Sequence, residues 1–222
     1  MFYVGAGTSG RIGVLDASEI PPTFGARPDL VQGIIAGGVT ALYRSVEGAE
    51  DDKISGALAV DERQTKASDV VIGIAASGRT PFVIGALERA KSLETKTILL
   101  TCNPAALAGG ADADQPRSPV AATVADLVIT LTVGPEIVTG STRLKAGTAT
   151  KVALNIISTG AMVALGKVRG NLMIDLHTTS TKLRDRAVRM VAEVKQCDYP
   201  SARDLLEAHN WNLRALIDEV HP

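Results

Sequence analysis

A chain of 222 residues with a formal net charge of −1 has the length of one α/β domain with an appendage, or of two small domains. Hydrophobic residues make up 45% but aromatics only 3%, so the core is built from Val, Ile, Leu and Ala, the filling of a buried parallel sheet. Lys and Arg are scattered, which leaves no basic stripe for nucleic acid, and charge or glycine interrupts every apolar run before the length of a membrane span. The start Met1-Phe2-Tyr3-Val4 lacks the basic and apolar stretches of a secretion signal. A cytoplasmic protein with no nucleic-acid and no membrane partner is expected. Cys102 and Cys197 lie far apart and form no CxxC pair, so neither a disulfide framework nor a structural zinc site is expected.

The chain opens in a strand, Phe2-Tyr3-Val4, and meets glycine at once. A helix is predicted to begin at Thr8 or Ser9, carry Ile12, Val14 and Leu15, and end before Pro21-Pro22. A second strand is predicted over 30–36 and a helix over 54–65, with the acidic turn Glu47-Gly48-Ala49-Glu50-Asp51-Asp52 between them. The β-branched run Asp69-Val70-Val71-Ile72-Gly73-Ile74 precedes Ala75-Ala76-Ser77-Gly78-Arg79-Thr80-Pro81 and an amphipathic helix through Val83, Leu87 and Ala90. Another strand is predicted over 96–101, a surface loop over 109–119, a last strand over 127–133 and a long helix over 143–165. Small polar helices over 183–194 and 202–220, the latter broken at Asn210-Trp211-Asn212, complete the chain. Strands alternating with helices predict a three-layer α/β/α sandwich with a mostly parallel sheet over 1–175 and a short C-terminal helical region over 176–222.

In such sheets, ligands bind beyond the carboxyl ends of the strands. Gly5-Ala6-Gly7-Thr8-Ser9-Gly10 formally matches a dinucleotide fingerprint. The acid that should hold a ribose at the end of the second strand is missing, since that strand ends in Ala36-Gly37-Gly38. No Gly-Lys-Ser/Thr follows either, which excludes a Walker loop. What the turn offers is two hydroxyls, Thr8 and Ser9, and helix-start amides, which suit a phosphate or a sugar hydroxyl. Ser77-Gly78-Arg79-Thr80 repeats the arrangement, and Thr139-Gly140-Ser141-Thr142 is a third hydroxyl-rich helix start. One such turn is ordinary capping; three facing one crevice point to a polyhydroxylated phosphate ester. Glu19, Glu50 and Glu136 fall on loops or helix ends that lead to that crevice, whereas Asp51, Asp52, Asp61 and Glu62 read as solvated surface groups. Carboxylates in a dry pocket serve as general acid and base. His177, His209 and His221 have no ligand spacing and lie far from these loops, so neither a metal site nor a Ser–His–Asp arrangement is expected.

With these residues assembled, the sequence resembles the N-acetylmuramic acid 6-phosphate etherases. The matching segments are Tyr3-Val4-Gly5-Ala6-Gly7-Thr8-Ser9-Gly10-Arg11, Leu15-Asp16-Ala17-Ser18-Glu19 and Pro21-Pro22-Thr23-Phe24-Gly25. Further along come Val46-Glu47-Gly48-Ala49-Glu50-Asp51 and Gly73-Ile74-Ala75-Ala76-Ser77-Gly78-Arg79-Thr80-Pro81. The last are Thr139-Gly140-Ser141-Thr142-Arg143-Leu144-Lys145-Ala146-Gly147-Thr148 and Gly170-Asn171-Leu172-Met173. The resemblance implies a SIS (sugar isomerase) domain, a role in cell-wall amino-sugar recycling, and cleavage of a D-lactyl ether without metal or organic cofactor. It implies that Glu19 is the proton donor, that Glu50 is the second acid/base, and that Thr8, Ser9, Ser77, Gly78 and Arg79 hold the sugar phosphate; Thr80, in the same turn, is a further candidate binding residue. Glu136 and Ser141 join the candidate binding residues from loop position. A homodimer whose subunits both contribute to the site is likewise implied. The family carries a helical segment before the first strand and a longer helical C-terminal region, whereas this sequence begins at the strand; position 20 is Ile where the family commonly has Cys or Met. Two other functions fit the same turns: an aldose–ketose isomerase, which needs no acid for a lactyl group, and a non-catalytic sugar-phosphate sensor like the glucokinase regulatory protein. Retention of both Glu19 and Glu50 favours the etherase.

Overall fold

A computed structural model describes residues 1–104, 123–176, 178 and 180–219. The predicted loop over 109–119, His177 and His221 lie outside the described residues. By contacts the chain divides into two compact units, Met1–Ser18 with Asp29–Asn155, and Glu19–Pro28 with Ile156–Pro222.

The first unit is built on five parallel strands: β1 (Phe2–Gly5), β2 (Gln32–Ile35), β3 (Val70–Ile74), β4 (Lys96–Thr101) and β5 (Leu127–Thr130), in the spatial order β2-β1-β3-β4-β5. Residues of a strand alternate between faces, and β1 shows what each face meets. Phe2 and Val4 pack in one cluster with Val71, Leu99, Phe82, Val83 and Leu87, the last three from α3 (Pro81–Ser92). Tyr3 points the other way, toward α1 (Gly7–Phe24), where its hydroxyl donates to the buried Asp16 carboxylate at 3.0 Å. Asn155, on α4 (Lys145–Ala164), donates to the other Asp16 oxygen at 2.7 Å. Helices therefore cover both faces, and the α/β sandwich is as the strand–helix alternation predicts.

Each helix start has a local cause. Asp52 caps α2 (Lys53–Glu62) by accepting from the Ser55 amide at 2.9 Å, and Pro81 occupies the first turn of α3, where no amide is needed. The α2–α3 crossing is unusually close. A Cβ at Gly56 would run into the Phe82 carbonyl, and one at Gly85 into the Lys53 carbonyl, so the two backbones touch with no side chain between. On α4 the buried positions Ala146, Thr150, Leu154, Ser158 and Met162 recur every fourth residue, a narrow stripe on an otherwise exposed helix.

One boundary departs from expectation. Instead of stopping before Pro21-Pro22, α1 continues to Phe24 with both prolines inside it. A proline lacks a donor but keeps its carbonyl, and the Gly25 amide donates to the Pro21 carbonyl at 2.9 Å, so the final turn closes on the acceptor side.

The second unit holds α5 (Thr181–Lys195), α6 (Tyr199–Ala208) and α7 (Leu213–Asp218), packed around Val188, Val191, Leu206, Leu213 and Leu216. Asn210 and Trp211 both take left-handed backbone angles, which produces the predicted break, and Asn212 caps α7. A two-residue hairpin, β6 (Val168–Arg169) with β7 (Leu172–Met173), was not expected from the sequence. Asp175 ties this unit together. The Arg214 guanidinium meets both its oxygens, Lys167 Nζ reaches one at 2.9 Å, and Arg214 also donates to the Gly166 carbonyl at 2.9 Å. Burial pushes the Asp175 carboxyl up, but the bonds from Arg214 and Lys167 together outweigh it and hold the group below the ordinary carboxylate value. Among the described residues no helix is long and apolar enough to cross a membrane.

A depressed folded pKa means that the stabilisation is complete above the unfolded value of about 4 and is lost as the pH falls through the folded value. Asp175→Asn is therefore predicted to lower the unfolding free energy by about 1–2 kcal/mol at neutral pH. The gap should close in acid, read by urea titration of the fluorescence of Trp211, the one tryptophan. A gap independent of pH would contradict the linkage.

Candidate active site

From β1 the chain crosses to β2 on one side and returns to β3 on the other. The loops leaving β1 and β3 consequently diverge, and at such a switch point a crevice opens at the carboxyl edge of the sheet. A cleft of about 360 Å³ lies there. Thr8 and Ser9 line it from the start of α1, and Ser77, Arg79 and Thr80 from the turn between β3 and α3. Glu50 and Asp51 enter from the short helical turn Ala49–Asp51, and Thr142 from just before α4.

Close packing places the first wall. A Cβ on Gly5 would stand 2.6 Å from the Gly10 amide nitrogen, and one on Gly10 would stand 2.6 Å from Ile35 Cγ1. The first turn of α1 can thus lie directly on the end of β1, with Thr8 and Ser9 facing the crevice. The second wall is braced from its neighbour. Thr101 Oγ1 donates to the Ala76 carbonyl at 3.1 Å, and Asn103 Nδ2 to the Ser77 carbonyl at 3.2 Å. Within the turn, the Gly78 amide donates to the Ala75 carbonyl at 2.9 Å and the Arg79 amide to Ser77 Oγ at 3.2 Å. Gly78 is buried beneath the turn; it shapes the wall without lining the cleft.

The donors left over define the chemistry. First-turn amides of α1 and α3 have no intrahelical acceptor, and Thr80 makes no capping bond with its side chain. Arg79 is exposed, and among the described residues its guanidinium has no ion pair or hydrogen bond. Amides, hydroxyls and one unpaired guanidinium converge on a space that suits a phosphate or another oxyanion.

The third helix start differs from expectation. Glu136 does not line the cleft; its two oxygens accept the Lys145 and Ala146 amides, each at 2.9 Å, and cap α4. The Ala146 amide above all holds its carboxyl below the ordinary range; desolvation opposes it, and the Lys145 amide and the Lys145 charge add to the lowering. Glu136, expected among the binding residues, is thus engaged at a helix start and stands outside the lining of the cleft. Ser141 is displaced too: its amide closes a turn on the Val138 carbonyl at 3.0 Å, and Thr142 faces the cleft instead. The residue of the hydroxyl-rich turn that lines the cleft is Thr142, the neighbour of Ser141. Asp51, read from the sequence as a surface group, lines the cleft beside Glu50. Glu19 is exposed on α1, about three turns beyond Gly7, or about 18 Å by helical rise.

Cys102 sits near the start of α4, with its thiol 3.8 Å from the Ala146 carbonyl. Burial pushes that thiol up, which keeps it protonated and a poor nucleophile. Among the described residues no three His, Cys, Asp or Glu side chains are placed to hold a metal ion.

Residues 1–91 match the family described as glucokinase regulatory protein N-terminal SIS domain. Among curated relatives, a protein of Symbiobacterium thermophilum named N-acetylmuramic acid 6-phosphate etherase is 51% identical over 98% of this chain and 68% of its own length. Relatives of the same name from Klebsiella aerogenes and Gloeobacter violaceus are 50% and 52% identical over 98% of this chain, and over 68% and 67% of their own lengths. The chain thus spans about two thirds of these relatives.

Removing the cap at Glu136 should act on the helix it holds. Glu136→Ala is predicted to lower the melting temperature and to speed amide hydrogen exchange at Lys145 and Ala146, with Glu136→Gln falling between it and the unaltered chain. Unchanged exchange at both amides would contradict the capping role.

Proposed function

Because the chain belongs to the N-acetylmuramic acid 6-phosphate etherase family, we propose that it cleaves the D-lactyl ether of N-acetylmuramic acid 6-phosphate, giving N-acetylglucosamine 6-phosphate and D-lactate in amino-sugar recycling. The observation that carries this reading is the cleft itself: unspent hydroxyls, helix-start amides and Arg79 gather around Glu50, in a chain about half identical to named etherases over nearly its whole length.

An ether is a poor leaving group, but the open-chain sugar carries an aldehyde at C1 that acidifies the proton on C2. Glu50 removes that proton as general base. As the double bond forms between C2 and C3, the C3–O bond breaks and an acid protonates the departing lactyl oxygen. Water then adds across the double bond, its hydroxyl to C3 and its proton to C2, so the net change is hydrolysis of the ether. Thr8, Ser9, Ser77, Arg79 and Thr80 hold the phosphate-bearing sugar, with Gly78 shaping their turn. Glu19 is assigned as the acid. Its place on α1, about three turns from the residues at the cleft, fits a homodimer in which a second copy supplies it. A cytoplasmic location follows from the substrate, whose phosphate confines it to the compartment in which it is made.

The sensor reading has one observation in its favour, the match of residues 1–91 to a regulatory protein's domain. A sensor would bind the sugar phosphate without turning it over.

The purified protein is predicted to release D-lactate from N-acetylmuramic acid 6-phosphate, and Glu50→Ala to slow this by about 10²–10⁴-fold while remaining folded by circular dichroism. A well-folded sample that binds the substrate and releases no lactate would favour the sensor and sink the etherase. In ¹⁸O-labelled water the label is predicted at the C3 hydroxyl of the sugar product; label found only in lactate would move the cleavage to the lactyl side.

A further inference from the structure

Beside the main cleft lies a smaller chamber of about 180 Å³, and the two share Ala6, Gly7 and Glu50. Arg11 enters this chamber from α1. Its Nε donates to the Leu42 carbonyl at 3.1 Å and its Nη2 to the Arg44 carbonyl at 3.4 Å. Both acceptors are neutral. Glu47, also in the wall, takes its hydrogen bond from the Ser45 hydroxyl at 2.6 Å. A guanidinium has five N–H donors, so Arg11 is held in place by some of them and keeps others, with its full charge and no ion pair among the described residues. A half-buried cation fixed only by neutral carbonyls is completed by an anion.

Resting on the etherase reading, we propose that this chamber receives the lactyl group at C3 and that Arg11 holds its carboxylate. The substrate has two anionic ends, and the protein has two places for them. Glu50 must reach the proton on C2, and C3 is the next carbon, so the C3 substituent lies against whatever adjoins Glu50. The adjoining space is the chamber. Ala36, Ala41 and Val46 give it an apolar wall for the lactyl methyl, and its size admits a three-carbon acid but no phosphorylated sugar. The phosphate is left to the larger cleft, where the hydroxyls, the helix-start amides and Arg79 stand. Arg11 is then the residue that distinguishes the substrate from its sugar product, which has lost the lactyl group.

The test compares N-acetylmuramic acid 6-phosphate with its analogue in which the lactyl carboxylate is a primary amide. On the unaltered protein, kcat/KM is expected to fall about ten- to a hundredfold for the amide. Arg11→Lys, which keeps a charge but loses the fork, should lose a similar factor on the acid and little more on the amide, while its Kd for N-acetylglucosamine 6-phosphate stays unchanged. That unchanged Kd also reports that the variant is folded, and the amide comparison on the unaltered protein does not depend on any variant. An amide cleaved as fast as the acid would overturn the proposal. So would an Arg11→Lys protein that loses affinity for the sugar product and the substrate alike, since Arg11 would then only brace residues 42–44. If no lactate is released at all, the etherase reading fails instead. Equilibrium binding then decides the chamber by itself: the lactyl-bearing sugar must bind more tightly than the sugar without it, and Arg11→Lys must erase that difference.

Discussion

The backbone contact between Gly5 and Gly10 is the constraint on which the site depends. A hydrogen at each Cα lets the first turn of α1 lie on the end of β1, and a methyl at either position would overlap main-chain atoms. From that contact follows the direction of α1, and with it the facing of Thr8 and Ser9. Behind them, the Tyr3–Asp16–Asn155 hydrogen bonds tie α1 to the sheet on one side and to α4 on the other. Both bonds end on a buried carboxylate, and hydrogen bonds to a charged group contribute about 1.5–3 kcal/mol each. The turn is thus fixed at its front by the absence of side chains and at its back by a polar pair of bonds.

Much of this was legible in the sequence because it is local. The run at 96–101 reads as a strand and forms one with those bounds, and Pro81 reads as the first turn of a helix and is one. The parallel order of strands follows from the alternation of strand and helix. The roles of single side chains within a turn were less legible, because they depend on atoms distant in sequence. Whether Glu136 faces a ligand or a helix start depends on where α4 begins in space, and nothing at position 136 reveals it. The same holds for Ser141 and Thr142, whose order around the cleft is set by a turn that Ser141 itself closes. Pro21 and Pro22 misled for another reason. The rule that proline ends a helix concerns donors and sterics upstream, whereas the last turn of α1 closes on the Pro21 carbonyl, which proline keeps.

The electrostatics of the site divide in a simple way. Carboxylates that cap helices, Asp52 and Glu136, are neutralised locally by backbone amides. Arg11 and Arg79 are bonded to no carboxylate among the described residues, and each lines a hollow next to Glu50. A fold that satisfied its own charges everywhere would have paired them.

The crossing of α2 on α3 has a reach that its position conceals. The turn that carries Glu50 leads directly into α2, and the turn that carries Arg79 leads directly into α3. Since Gly56 and Gly85 let these helices meet backbone to backbone, there is no compressible layer of side chains between them to absorb displacement. The backbones that carry Glu50 and Arg79 therefore start from one stiff bracket. The spacing of those two turns is a property of the scaffold, calibrated by two missing methyl groups, at Gly56 and Gly85.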